Sequence, residues 1–224
     1  MFRKFLFSAI WLGFGFYAFG LAPPNQPDTL DLLQKLALGQ FAGINPLIIA
    51  LFNLMGIWPM LYATVLLAEG RGQKLPTSPF VVLSFGIGAF ALLPYLAFRQ
   101  PNPCFSGPRD RLLRFLDSRW LAIGLTLGTI GSLAYGLSQG DWADFAQQWQ
   151  TNRFIHVMSL DFCLLALLFP TIVPDDMARR QFYAPRLFWL VSVLPLLGPL
   201  AYLILRPPLP DTETQPPPPI AAET

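Results

Sequence analysis

Charge is scarce in this chain, and acidic charge is scarcest. Asp, Glu, Lys and Arg make up 12% of its 224 residues, about half the share of an ordinary soluble domain. That deficit excludes a cytosolic globule, which needs a charged shell. Glutamate is nearly missing, since Glu69 stands alone until Glu213 and Glu223 in the tail. The single histidine, His156, rules out a haem held between two histidines of this chain. Its two cysteines, Cys104 and Cys163, fall in a polar linker and an apolar stretch, which argues against a disulfide between them. No Cys/His spacing of a zinc or iron–sulfur site occurs. A nucleophile elbow, a P-loop, a dinucleotide fingerprint and a zincin motif are all missing. The chain therefore reads as a non-enzyme with no cofactor. A net charge of +2 is too small to attract nucleic acid.

What is present is apolar length. Hydrophobic residues reach 54%, with 20 Phe and 6 Trp, a composition suited to lipid-facing surfaces and interfacial belts. A helix crossing the bilayer core needs about 20 largely apolar residues. Stretches at Phe5–Leu21, Phe41–Ala68, Phe80–Phe98, Trp120–Leu137, Phe154–Val173 and Leu187–Leu205 qualify or come close. Pro59, Pro94, Pro170, Pro195 and Pro199 do not veto them, because a span in lipid survives proline as a kinked helix. The basic start, apolar run and Ala18-Phe19-Gly20 of the first stretch also fit a signal peptide. Its counterpart in the fourth stretch, which cannot be one, favours a retained span.

The polar segments are also readable. Asp28 and Asp31 open a short helix rich in leucine, and Asp141 and Asp144 open another. At i and i+3 in a first turn, capping explains these pairs without acid–base chemistry. Residues 100–119 form an Arg-rich linker whose Leu112, Leu113, Leu116 and Trp120 share one helical face. Arg109, Arg111, Arg114 and Arg119 lie largely elsewhere on it, an amphipathic pattern that would meet lipid headgroups. Residues 207–224, with Pro216–Pro219, read as an extended, disordered tail.

The two halves echo each other. Asp28, Asp31, Gln34 and Phe41 recur as Asp141, Asp144, Gln147 and Phe154; Arg71 and Gln73 recur as Arg179 and Gln181; Tyr95, Arg99 and Pro101 recur as Tyr202, Arg206 and Pro208. Residues 1–99 and 120–206 thus read as two three-span repeats. Three spans per unit would set the second unit upside-down, as in the inverted repeats of transporters. The expected fold is all-α, a polytopic membrane protein of about six transmembrane helices. On that topology nine basic residues face one side and six the other, which fixes no orientation.

The second unit, Trp120–Arg206, resembles a bacterial family of small three-span membrane proteins classed as a domain of unknown function. Asp144 with Phe154, Asp161, the Arg179-Arg180 turn and the Tyr202-to-Arg206 end carry the resemblance. In the first half Asn53 stands where the family's Asp would be. The whole chain is similar to uncharacterised cyanobacterial membrane proteins with relatives in plastids. The resemblance implies architecture and a photosynthetic source, hence a plasma or thylakoid membrane, and nothing chemical.

Three intramembrane polar residues stand out. Asp161 lies near mid-bilayer, where a carboxylate is costly, as a proton or cation site or as an interhelical hydrogen bond. Asn53 occupies the matching depth of the second stretch and could pair with it. His156 could ligate a chlorophyll or haem, though an ordinary hydrogen bond explains it as well. Asp175 and Asp176 beside Arg179 and Arg180 read as a solvated, self-compensated turn. The expected function is an accessory, scaffold or assembly protein of a larger membrane complex, a photosynthetic one as the resemblance implies, with membrane lipids and a membrane-protein partner. The alternative is a small transporter or channel with Asp161 and Asn53 at its repeat interface.

Overall fold

A computed structural model describes residues 1–71, 73–105 and 108–210; the proline tract of the tail lies outside the described residues. Among the described residues the structure is helical, without strands. Four helices are long and apolar enough to cross a membrane: α1 (Phe2–Leu21), α3 (Pro46–Glu69), α7 (Arg119–Gln139) and α9 (Arg153–Arg179). Shorter helices join them. These are α2 (Thr29–Ala37), α4 (Ser78–Ile87), α5 (Ala89–Phe98), α6 (Arg111–Leu116), α8 (Trp142–Thr151), α10 (Pro185–Val193) and α11 (Leu197–Leu205).

Local chemistry starts the helices where the sequence places polar residues. The Asn45 side chain accepts from the Leu47 N–H ahead of Pro46 at the first helical position. Asp110, Ser118, Asp141 and Asn152 cap α6, α7, α8 and α9 in the same way. Asp28 makes no such bond, so capping explains one of the two acidic starts.

The third and sixth apolar stretches form no single helix long enough to cross a membrane. Each breaks into two short helices that fold back, α4 with α5 and α10 with α11. An arm of ten residues rises about 15 Å, half the depth of a roughly 30 Å hydrocarbon core. The first turn is made at Gly88, whose φ of 52° falls in the left-handed region that glycine enters without penalty. The second is made at Pro195-Leu196, with Leu196 at φ 59°. The ends of each hairpin meet. The Gln73 side-chain amide donates to the Gln100 carbonyl, and the Gln100 N–H donates back to Gln73 Oε1 at 3.1 Å. Likewise Arg180 donates to the Pro207 carbonyl at 2.6 Å.

This corrects the six-span, inverted expectation. A unit of two long helices and a returning hairpin is even, so its second occurrence keeps the direction of the first. Gln73 and Gln181 lie at the same end of the bundle. So do Arg3, which donates to the Arg99 carbonyl, and Leu209, whose N–H donates to Asp117 at 2.8 Å. The other end carries α2 and α8, where Asn45 donates to Asp144 at 2.7 Å and Arg153 to the Pro23 carbonyl at 2.9 Å. Between the ends sits an apolar core around Trp58, Tyr62 and Phe169, with Tyr62 and Phe169 edge-to-face at 5.2 Å. The Tyr62 hydroxyl is satisfied by the Leu165 carbonyl at 2.7 Å. Packing and such pairs hold the helices, since lipid supplies no hydrophobic drive between them.

Candidate functional site

The densest chemistry lies at the end shared by the chain termini. Each hairpin finishes on an arginine, and each arginine reaches an acid at the end of the long helix before it. Arg99 binds Glu69, and Arg206 binds Asp176 at 3.0 Å. The two centres join. Arg99 also reaches Asp175 at 2.8 Å, and Arg179 lies 3.4 Å from Asp176 and 3.9 Å from Glu69. Arg180 bridges Asp176 at 2.9 Å and Asp117 at 2.6 Å. The Tyr202 hydroxyl donates to Asp176 at 2.7 Å, so that carboxylate gathers three guanidiniums and a phenol.

This overturns the reading of Asp175–Arg180 as a solvated turn. Glu69, Asp176 and Arg179 are all but fully buried, at 0%, 0% and 1% exposure. Burying charges is costly, and only mutual pairing makes it tolerable. Burial alone would lower the Arg180 pKa, but the Asp176 and Asp117 carboxylates outweigh it and hold it above the usual arginine value. Arg99 Nε, Arg179 Nε, Arg180 Nη2 and Glu69 Oε2 are left without hydrogen-bond partners. The signal was present in the sequence as the doubled Tyr-x-x-x-Arg ends. Their partners lay too far along the chain to be matched by spacing.

Asp161 sits at the tip of the first hairpin, 5% exposed. Its Oδ1 accepts from the Ala89 N–H at 2.9 Å, meeting the positive end of half-helix α5. A Cβ on Gly88 would fall 1.7 Å from Asp161 Oδ2, so glycine serves both the turn and the approach. Asn53 is not its partner: it stands exposed on α3 and bonds to no described residue. Their matching depth does not bring the two together.

His156 has both ring nitrogens occupied. Nε2 pairs with the Tyr17 hydroxyl at 2.8 Å and Nδ1 with the Trp149 carbonyl at 2.9 Å. Both are engaged in ordinary hydrogen bonds within the chain, the alternative to a haem or chlorophyll ligand that the sequence offers. Arg111, Arg114 and Arg119 are exposed beside Leu112, Phe115 and Trp120, as a headgroup-facing surface requires. Arg109 differs, turning inward to the Leu209 carbonyl at 3.0 Å and toward Asp117 at 3.6 Å.

A groove of about 580 Å³ opens between α3, α7, α8 and α9, lined by apolar side chains including Leu47, Leu133, Trp142 and Phe162. It offers no charged group to a substrate. Among the described residues no cluster of three or more His, Cys, Asp or Glu could hold a metal ion. Comparison with protein families, characterised proteins and solved structures returns no match.

Proposed function

We propose that this chain is an accessory or assembly protein that packs beside a larger integral membrane complex. One observation carries the reading: two of the four long helices are left largely uncovered. Of their apolar stretches α1 and α7 bury only 17% each, against 61% of α3. The uncovered faces expose Phe16, Phe19, Trp120 and Leu127. They also carry Gly13, Gly15, Gly124 and Gly131, at each of which an added Cβ would meet nothing within 4 Å. Small residues of this kind let a neighbouring helix approach closely. Inside, the charges are matched to one another and the first hairpin tip is sealed by Asp161, so the chemistry is turned inward and the contact surface outward.

The doubled order of long helix, short helix, long helix and hairpin supports a duplicated unit whose copies run the same way. The resemblance read from the sequence supports a cyanobacterial plasma or thylakoid membrane as its location. Of the fifteen Lys and Arg residues, only Lys35 and Arg153 belong to the α2–α8 end. That bias favours a cytoplasmic position for the arginine-rich end.

The test is extraction in a mild detergent followed by native separation. Recovery with a larger membrane complex is the expected result; recovery only as the free chain sinks the proposal. A second reading, a small transporter, draws on the hairpins themselves, because half-helices ending inside the bilayer form substrate sites in transporters. On that reading Asp161→Asn abolishes a flux in liposomes, and an unchanged flux removes it.

A further inference from the structure

We infer that α3 carries a self-association surface centred on Asn53 and Gly56, through which two copies of this chain pair inside the bilayer. The inference does not depend on the accessory role, since it concerns a different helix from α1 and α7.

Helix α3 is the best covered of the four long helices. Along its 24 residues only Asn53 and Gly56 are exposed, with Phe52, Ile57 and Met60 partly exposed beside them. The spacing of Asn53, Gly56 and Met60, i, i+3 and i+7, is the seam of a helix meant to lie along another. Asn53 is eight residues into α3, roughly 7 Å inside a hydrocarbon core of about 30 Å centred on that helix. Its side chain is too short to reach the headgroups from there.

Several hydroxyl side chains in the apolar helices find acceptors in their own backbone, whereas the smaller Ser8 and Ser132 bond to no described residue. Thr64, Ser84, Thr126, Thr129, Ser159 and Ser192 each donate to a carbonyl three or four residues back. Asn53 does not, and no other described side chain meets it. A carboxamide left unpaired in lipid carries the full cost of its lost hydration.

The chemistry of the amide names the partner. A carboxamide offers two N–H donors and one carbonyl acceptor, so two of them across a two-fold axis satisfy each other reciprocally. A second copy presents the same group at the same depth by symmetry, as an isologous contact requires. Gly56, one turn on, has no atom within 4 Å of where a Cβ would stand, which lets the two α3 backbones approach to that hydrogen-bonding distance.

The experiment measures the dimer fraction in lipid bilayers as a function of protein-to-lipid ratio, for the full chain and for Asn53→Leu and Asn53→Gln. Wild type and Asn53→Gln dimerise, and Asn53→Leu weakens the dimer about tenfold or more. Because Asn53 is exposed and makes no hydrogen bond to a described residue of its own chain, Asn53→Leu keeps the helix content and thermal stability of the monomer. A second measurement uses Cys104→Ser/Cys163→Ser chains that keep Asn53 and Gly56 and carry a cysteine at 60 or 127. Oxidation links copies through 60, on the same face as Asn53, and not through 127 on the exposed face of α7. A wild-type chain monomeric at every ratio overturns the inference. So does an unchanged dimer in Asn53→Leu, or linkage through 127 alone.

Discussion

The Asp161 carboxylate closes the tip of a hairpin that begins and ends at the opposite face of the bundle, accepting the Ala89 N–H at 2.9 Å. It is a long-range contact between the two halves of the chain, and it fixes where the apolar run from 78 to 98 turns around.

Replacing the groups at that tip ranks their roles. Asp161→Asn keeps an acceptor oxygen and costs little, under about 1 kcal/mol. Asp161→Leu leaves the Ala89 N–H unpaired and destabilises by about 1–3 kcal/mol. Gly88→Ala costs more than either, because the new Cβ meets Asp161 Oδ2 at 1.7 Å on a backbone at φ 52°. Thermal unfolding in detergent gives the order; equal losses for all three variants would contradict it.

Topology is tested by labelling. In a chain with Cys104 and Cys163 replaced by serine, cysteines at Gln73 and Gln181 react with a membrane-impermeant maleimide from one and the same side. A cysteine at Lys35 reacts from the other. Were the hairpins true spans, Gln73 and Gln181 would label from opposite sides.

The arginine-rich end predicts an asymmetric response to neutralisation. Asp176 faces Arg179, Arg180 and Arg206 while fully buried. Asp176→Asn should therefore cost about 3–5 kcal/mol, the penalty for leaving buried charge uncompensated. The neighbouring Asp175 is half-buried and makes one ion pair, with Arg99. Asp175→Asn should cost about 1 kcal/mol or less. Denaturant titration in mixed micelles separates the two, and comparable losses would mean the network is not centred on Asp176.

His156 serves as a brace between α1 and α9. Tyr17→Phe removes one of its two bonds and should cost about 1 kcal/mol. The purified wild-type chain and His156→Ala should have the same visible absorption spectrum. A pigment band lost on the substitution would restore the ligand role.

Much of this architecture was legible in the residues. The apolar runs that became α1, α3, α7 and α9 are visible as runs, and so is the Asp141 cap. The caps at Asn45, Asp110, Ser118 and Asn152 are not singled out by the sequence pattern, and Asp28, which is, makes no capping bond. Direction was not, because hydropathy records how apolar a stretch is and not whether it returns. Gly88 and Pro195 marked the breaks, but in a membrane helix both are commonplace. Charge burial was also hidden. A turn such as Asp175–Arg180 is ordinarily solvated, and the residues that enclose it, Glu69, Arg99, Asp117 and Arg206, come from four distant places in the chain. Asn53 and Asp161 match in sequence context, yet one looks into the protein and the other out of it.

The seal on the first hairpin has a consequence for how the chain is made. A ribosome delivers Gly88 and Ala89 well before it delivers Asp161, so the nascent hairpin waits with its innermost N–H unmet. The early half cannot reach its final form until the later half has entered the bilayer, and a chain stopped before residue 161 would leave an unfinished loop for quality control to find.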